Sequence, residues 1–162
     1  MENNNLTIEF KKVGIDYLET LVDLRIEFIK DIHPNIETKL LENIYETTLK
    51  YFNELFENKV YIGFIGLLSN QIICTAGLLL YNLPPLTNEN YRKIGHVLNF
   101  YTKPKFRNKG YGLKLMEFIK NTAIEEKIDR LVLNSTQMGF SLYKEAGFIE
   151  PEDKAMILEL SI

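Results

Sequence analysis

The sequence predicts an α/β protein of the α+β kind, in which helices flank a mixed, mainly antiparallel sheet in the order β-α-α-β-β-β-α-β-α-β. Two neighbouring β-rich segments joined by a short turn indicate a hairpin, and therefore antiparallel pairing. A strand, a helix and another strand follow residue 91, which predicts a parallel crossover. A length of 162 residues is typical of one domain, which we expect to span residues 1–162.

The first third of the chain is predicted to form one strand and two helices. The segment LTIEFKKV alternates apolar and polar residues, as a half-buried strand does. Asp16 can cap a helix that Pro34 ends, because proline cannot continue a helix. A second amphipathic helix is predicted through KLLENIYETTLKYFNELFEN.

The remainder of the chain is richer in β-branched and aromatic residues. The strands KVYIGFIGLL and IICTAGLLLY form the hairpin around SNQ, and NLPPLTNEN is a loop because Pro84 and Pro85 do not suit a central strand. The later elements are predicted, in order, as the strand YRKIGHVLNFYT, the helix LKLMEFIKNTAIEE, the strand RLVLN, the helix TQMGFSLYKEAGF ending at Gly147, and the strand KAMILEL.

The composition excludes several functional classes. A net charge of −3 argues against nucleic-acid binding, and no apolar run approaches the roughly 20 residues of a membrane span. Cys74 is the single cysteine and is predicted to lie in the core, so neither a disulfide nor a cysteine-based metal site is expected. The polar N-terminus does not resemble a signal peptide. We therefore expect a cytoplasmic protein without metal, nucleic-acid or membrane partners.

The segment RNKGYG, residues 107–112, stands where a helix is predicted to begin. Glycine lets the backbone approach a ligand closely, and the free N–H groups and dipole of a helix start favour an anion. Five cations surround this point, namely Lys103, Lys105, Arg107, Lys109 and Lys114. The segment lacks the GK[ST] of a P-loop, and Leu115 replaces the third glycine of a dinucleotide fingerprint. A plain turn and an unrelated phosphate-binding domain stay open as alternatives.

Together with a second motif, this segment resembles the GCN5-related N-acetyltransferase family. RNKGYG matches the family's [RQ]xxGx[GA] signature between a strand and a helix, and LYKEAGF, residues 142–148, matches its later LYxxxGF pattern. The resemblance is strongest over residues 91–148. It implies binding of acetyl-CoA and transfer of the acetyl group to an amine.

The resemblance also implies a set of cofactor contacts. Backbone N–H groups in the glycine loop would hold the pyrophosphate, nearby lysines would meet the 3′-phosphate, and the preceding strand would pair with pantetheine as β-augmentation does. Thr136 is equally well interpreted as a cap for the next helix. The implied cofactor-binding residues are Phe100, Tyr101, Thr102, Arg107, Asn108, Lys109, Gly110, Tyr111, Gly112, Asn134 and Thr136.

By the same resemblance, Tyr143 is the general acid that protonates the leaving thiolate, although spacing alone favours a core aromatic. Strand alternation places His96 on one face with Leu98, Phe100 and Thr102, where histidine suits general-base work near neutral pH. A packed strand histidine and a water relay are the alternatives for His96. His33 is a weaker candidate for an acceptor pocket. A buried Cys74 favours direct transfer in a ternary complex over an acetyl-cysteine intermediate.

The functional expectation is thus an acetyl-CoA-dependent N-acetyltransferase, with a non-catalytic acyl-CoA-binding sensor or interaction module as the alternative. The acceptor is a small-molecule or peptide amine that the sequence does not identify further. Asp31, Glu42 and Tyr45 lie in the region that shapes the acceptor site in this family, or are solvated helix positions. Exposed C-terminal strands would allow a homodimer.

Overall fold

The structure is a computed structural model that describes residues 7–85, 92–152 and 158–160. Its strands and helices confirm the predicted order from the first strand to the last helix. They are β1 (Glu9–Val13), α1 (Leu18–Ile32), α2 (Thr38–Glu57), β2 (Tyr61–Leu68), β3 (Gln71–Leu83), β4 (Arg92–Thr102), α3 (Tyr111–Glu125), β5 (Arg130–Val132) and α4 (Phe140–Glu145). The predicted closing strand KAMILEL falls on residues 154–160. Residues 154–157 lie outside the described part, and residues 158–160 have no regular structure.

The five strands form one sheet in the order β1-β2-β3-β4-β5. The first four pair antiparallel, and β4 pairs parallel with β5 across α3, which confirms both the hairpin and the crossover. The hairpin turns at Ser69 and Asn70, whose φ angles are 50° and 64°. Positive φ at both turn residues matches the right-handed twist of the flanking strands.

Helices cover both faces of the sheet, and each face has its own hydrophobic core. The residues Leu21, Val22, Phe52, Tyr61 and Ile65 pack on the face that we call the α1/α2 face. The opposite, α3/α4 face buries Phe64, Cys74, Leu78, Leu115, Met116 and Ile119. Each fully buried side chain of this kind contributes about 1.5–3 kcal/mol to the free energy of unfolding. The burial of Cys74 confirms its predicted place in the core.

The start of α1 differs from the prediction. Asp16 lies inside a short 3₁₀ turn, Ile15–Tyr17, and the residue at the helix boundary is Tyr17, whose side chain accepts no capping hydrogen bond. The predicted capping by Asp16 is therefore wrong, because the 3₁₀ turn moves the helix boundary one residue along the chain, to Tyr17.

The described residues form neither a metal-binding cluster nor a membrane-spanning helix. In residues 7–85, 92–152 and 158–160, no group of three or more His, Cys, Asp or Glu side chains could hold a metal ion. Across these same ranges, none of the helices is long and apolar enough to cross a membrane.

Candidate active site

A β-bulge interrupts β4 at Asn99. Gly77 pairs with Leu98 and Thr75 pairs with Tyr101, so two steps along β3 correspond to three along β4. Asn99 adopts a φ of 53°, in the left-handed region that asparagine tolerates better than most residues. Its side-chain amide lies 3.5 Å from the Tyr61 hydroxyl and donates to it. The bulge is therefore fixed both by backbone conformation and by a side chain of β2.

This bulge overturns the prediction that His96, Leu98, Phe100 and Thr102 share one face. His96 pairs with Leu79, which packs on the α1/α2 face. Phe100 packs instead against the α3/α4 core. One extra residue reverses the alternation of side chains, so His96 and Phe100 lie on opposite faces of the sheet.

Beyond the bulge, β4 has a free edge. Its parallel pairing with β5 ends at His96 and Val132, whereas β4 itself continues to Thr102. In the part of the chain that the structure describes, no strand pairs with the outer edge of residues 97–102. The Lys103 N–H donates to Ile73 on β3 at 2.9 Å, so the polar backbone groups of Thr102 point the other way, toward the free edge. We call this opening between β4 and β5 the fork.

The glycine loop lies at the end of the fork and begins α3. Asn108 and Gly110 both have positive φ, 58° and 76°, and Gly110 is the residue at the helix boundary. A Cβ on Gly110 would meet nothing within 4 Å, so the loop backbone faces open space. With no side chain on Gly110 to cap the helix, the first-turn N–H groups are available to an anion.

The second glycine of the motif has a different role. A Cβ on Gly112 would stand 2.7 Å from Cδ1 of Leu142, so the residue allows α3 to pack closely on α4. Tyr111 next to it is half-buried and packs against the α3/α4 core. The motif thus combines an open backbone at Gly110 with close helix packing at Gly112.

Two of the five clustered cations turn toward α1. Lys103 pairs with Glu27 at 3.0 Å, and Arg107 pairs with Asp31. Arg107 Nε also donates to the Thr102 carbonyl at 2.9 Å, and its guanidinium carbon lies 5.6 Å from the Tyr101 ring centroid. The side chain of Arg107 therefore holds the loop against α1 and β4.

The other three cations keep their charge available. Lys105, Lys109 and Lys114 are exposed, and no acidic side chain of the described residues pairs with them. Lys109 Nζ lies 5.8 Å from the Phe106 ring centroid. These three lysines supply the positive potential around the glycine loop, in a protein whose net charge is negative.

The segment LYKEAGF forms a Schellman motif at the end of α4. The Phe148 N–H donates to the Tyr143 carbonyl, and the Gly147 N–H donates to the Lys144 carbonyl. Gly147 has a φ of 94°, a conformation that glycine adopts at little cost. The Phe148 ring packs 5.9 Å from the Tyr143 ring, which is the hydrophobic contact that accompanies such a motif. The pattern therefore fixes the position of Tyr143.

Tyr143 lies on the α3/α4 face beside the free edge of β4. Its ring packs edge-on against Phe100, with 5.7 Å between ring centroids. Burial raises the pKa of the Tyr143 phenol above its ordinary value. The hydroxyl forms no hydrogen bond with any residue that the structure describes, so it can donate to a ligand.

The other predicted site residues lie on several different elements. His96 is half-buried at the base of the fork, and within the described ranges its ring accepts and donates no hydrogen bond. Thr136 Oγ1 accepts from the Gly139 N–H at 3.2 Å in the turn before α4, whereas the residue at the start of that helix is Gly139, so Thr136 does not cap it. Asn134 is exposed just after β5. His33 lies at the end of α1, where it lines the pocket described next.

A pocket of about 700 Å³ lies between the end of α1 and the start of α2. Its walls are mostly aliphatic, and among the described residues no carboxylate lines it. The lining residues are Arg25, Ile29, Ile32, His33, Pro34, Asn35, Ile36, Leu40 and Ile44.

Comparisons with known proteins agree with this geometry. The model of the acetyltransferase (GNAT) family matches residues 18–148. A predicted acetyltransferase from Clostridium acetobutylicum, solved with acetyl-CoA, is 25% identical, with a TM-score of 0.78 over 94% of this chain and 96% of that chain. A GCN5-related N-acetyltransferase from Ralstonia eutropha JMP134 is 22% identical, with a TM-score of 0.76 over 94% and 99% of the two chains.

A third solved structure, glucosamine-6-phosphate N-acetyltransferase from Arabidopsis thaliana, is 15% identical and has a TM-score of 0.65 over 94% of this chain and 98% of that chain. No curated protein matches the sequence. The family model spans most of the chain and includes both motifs that frame the fork. The chain therefore belongs to the acetyltransferase (GNAT) family, a family of acyltransferase enzymes.

Proposed function

We propose that this protein transfers the acetyl group of acetyl-CoA to a primary amine, directly and within a ternary complex. The observation that carries the proposal is the fork: a free strand edge, an open glycine loop at its end, and the Tyr143 hydroxyl beside it. These three features offer partners for an extended amide chain, for a pyrophosphate and for a leaving thiolate.

The chain's own residues suit each part of acetyl-CoA. The N–H groups from Asn108 to Gly112 would hold the pyrophosphate, and exposed Lys105, Lys109 and Lys114 would add charge for the phosphates. The edge at Phe100, Tyr101 and Thr102 would pair with the pantetheine amides as an added strand. Asn134 and Thr136, opposite that edge after β5, complete the proposed contacts.

Tyr143 acts in the transfer step. The amine nitrogen attacks the thioester carbonyl carbon, a C–N bond forms, the C–S bond breaks, and CoA leaves as a thiolate. The phenol donates its proton to that sulfur, and the raised pKa of Tyr143 keeps the phenol protonated at neutral pH. The amine loses one proton in exchange, so the products are the N-acetylated amine and free CoA thiol.

His96 is the proposed acceptor of the amine proton. It lies at the last paired position of the fork, on the α1/α2 face, whereas Tyr143 lies on the α3/α4 face. A thioester held in the fork would therefore have the base on one side and the acid on the other. A water bound near His96 could relay the proton with the same stoichiometry.

Direct transfer is favoured by the state of Cys74. The residue is fully buried in the core, and burial raises the pKa of its thiol to about 12. A protonated, inaccessible thiol is a poor nucleophile, because the thiolate is the reactive form. An acetyl-cysteine intermediate on this residue is therefore not part of the proposal.

The wider setting is proposed on the same basis. The acceptor is a small-molecule or peptide amine, one domain spans residues 1–162, and no metal takes part. A single buried cysteine suits the reducing cytoplasm as the location. A homodimer through the C-terminal segment stays a prediction, since residues 153–157 lie outside the described part of the chain.

The experiment that tests the proposal has two readouts. Acetyl-CoA at millimolar concentration should raise the melting temperature, because a ligand that binds only the folded state stabilises it. Release of free thiol should then be measured over a panel of primary amines. Stabilisation without thiol release from any amine would favour the alternative, a non-catalytic acyl-CoA-binding sensor or interaction module. Stabilisation by acetyl-CoA no greater than that by ATP would contradict the proposal, because the site would then show no preference for CoA.

A further inference from the structure

Arg25 on α1 is a half-buried cation without an anionic partner. Its guanidinium carbon lies 5.1 Å from the centroid of the Phe28 ring. Over the described residues it forms neither a hydrogen bond nor an ion pair. Nearby cations behave differently, since Lys103 and Arg107 both pair with carboxylates of the same helix. Burying an unpaired charge costs free energy, so a partner supplied by a ligand would be stabilising.

Arg25 lines the pocket between α1 and α2, and the chemistry of that pocket is unusual for an acidic protein. Five aliphatic side chains form most of its wall: Ile29, Ile32, Ile36, Leu40 and Ile44. Ile32 and Leu40 are 45% and 51% exposed, so part of this wall is open to solvent. Arg25 and His33 are its titratable lining residues in the described chain, and neither is acidic.

The pocket adjoins the fork through a short series of contacts. Phe28, under Arg25, packs 5.5 Å from Tyr101 of β4. The Tyr61 hydroxyl, in the core of the same face, accepts a hydrogen bond from Asn99 at the bulge. Tyr61, Leu79 and His96 pair side by side across three strands on this face. Arg25 and the proposed base His96 therefore belong to the same side of the sheet.

From this arrangement we infer that the acceptor is an amine that also carries an anionic group, with Arg25 as the residue that binds the anion and the aliphatic wall as the site for its apolar part. The inference rests on the proposed function and specifies the acceptor class. A guanidinium binds a carboxylate or a phosphate through two parallel hydrogen bonds, which one isolated arginine can supply. Polyamines and aminoglycosides are polycations, which the described lining of this pocket, with Arg25 and no carboxylate, does not favour.

The test compares matched amines that differ only in charge. Leucine is compared with leucinamide, glucosamine 6-phosphate with glucosamine, and spermidine serves as a polycation, all by thiol release from acetyl-CoA. The anionic member of at least one pair should have a KM at least about tenfold lower than the partner that lacks the anionic group. A preference within the leucine pair would identify a carboxylate, and one within the glucosamine pair would identify a phosphate.

Two variants separate anion binding from a structural role. Arg25→Met keeps an unbranched chain over Phe28 and removes the charge. It should raise the KM of the anionic amine about tenfold or more, as the loss of a charge-assisted hydrogen bond does, and leave unchanged the KM of the partner that lacks the anionic group. Arg25→Lys should recover part of the affinity. The matched control is Lys30→Met, which removes another α1 charge outside this pocket. It should change the KM of neither amine of the pair.

Several outcomes would overturn the inference. Equal KM values within both pairs would contradict it, and so would a preference for spermidine. An equal effect of Arg25→Met on amines with and without an anionic group would do the same. If no amine of the panel is acetylated, the melting temperature is measured instead with N-acetyl-leucine and with N-acetylglucosamine 6-phosphate. At least one of them must raise the melting temperature of the wild type more than that of Arg25→Met, or the inference fails. Failure of the proposed function looks different, because acetyl-CoA itself would then leave the melting temperature unchanged.

Discussion

Arg107, the first residue of the glycine motif, forms an ion pair with Asp31 near the end of α1. The same guanidinium group donates to the Thr102 carbonyl and lies over the Tyr101 ring. One side chain thus joins the proposed pyrophosphate loop to the strand edge and to the helix that borders the α1–α2 pocket. Since both partners are about one quarter exposed, the pair is better shielded from water and salt than a surface pair.

Replacing Asp31 with asparagine should weaken the loop more than it weakens the fold. We expect the free energy of unfolding to fall by about 1 kcal/mol, which is the upper range for exposed pairs. The Kd of acetyl-CoA should rise several-fold, because the loop is no longer held in its binding geometry. Chemical denaturation and isothermal titration calorimetry measure the two quantities.

The control is the exposed pair between Glu9 and Lys11, where Glu9→Gln should change neither quantity measurably. Arg107→Lys should also bind acetyl-CoA with a higher Kd than the wild type, because lysine cannot contact Asp31 and Thr102 together. An unchanged Kd in Asp31→Asn would show that the loop does not depend on α1.

Gly147 is the residue on which the position of Tyr143 depends most directly. Alanine at its φ of 94° is strained, so Gly147→Ala should lower the free energy of unfolding by about 1–2 kcal/mol. The same change should lower kcat, because Phe148 would no longer hold the Tyr143 ring. Denaturation and steady-state kinetics test the two effects.

Gly14 provides a matched comparison for that substitution. It has a φ of −111°, and a Cβ there would meet only Asp16 Oδ1 at an ordinary 3.4 Å. Gly14→Ala should therefore leave kcat unchanged and alter stability little. If Gly147→Ala is equally neutral, the Schellman motif does not position the tyrosine.

The contrast between Gly110 and Asn99 shows what the sequence could predict. RNKGYG predicted a helix start with an open backbone, because glycine and basic residues directly before a helical pattern are typical of an anion-binding helix N-terminus. The structure agrees at Gly110, and LYKEAGF likewise corresponds to a definite helix end. Such local signals are readable because neighbouring residues determine the conformation.

The bulge at Asn99 was not predictable in the same way. HVLNFYT alternates well enough to indicate a regular strand, and the extra residue follows from pairing with Thr75 and Gly77 on another strand. Strand register is a tertiary property, so a polar residue inside a strand gave too weak a signal. The unpaired charge of Arg25 was missed for the same reason, since its surroundings come from separate segments.

The stability of the protein should decrease at alkaline pH because of two buried groups. Burial raises the pKa of both Tyr61 and Cys74 to about 12. A group whose pKa is higher in the folded state stabilises the fold below its unfolded pKa and ceases to do so as pH rises through the folded value. The free energy of unfolding should thus fall between about pH 9 and pH 12.

Removing one of these groups should reduce that dependence. In Tyr61→Phe, the decrease between about pH 10 and pH 12 should be smaller than in the wild type, because phenylalanine does not ionise. Exposed Tyr51→Phe is the control and should retain the wild-type slope. The measurement is urea denaturation at a series of pH values, and identical slopes in all three proteins would contradict the assignment.

Tyr143→Phe should lower kcat by about 10²-fold or more, the usual range for losing a general acid, and change the Kd of acetyl-CoA little. Because burial raises the pKa of Tyr143, ionisation of the phenol should not reduce wild-type activity below about pH 10. His96→Gln should likewise lower kcat by about 10²-fold or more if His96 accepts the amine proton. Steady-state kinetics up to about pH 10 tests the two roles: an unchanged kcat in His96→Gln would assign the base to water, and full activity in Tyr143→Phe would exclude the phenol as the acid.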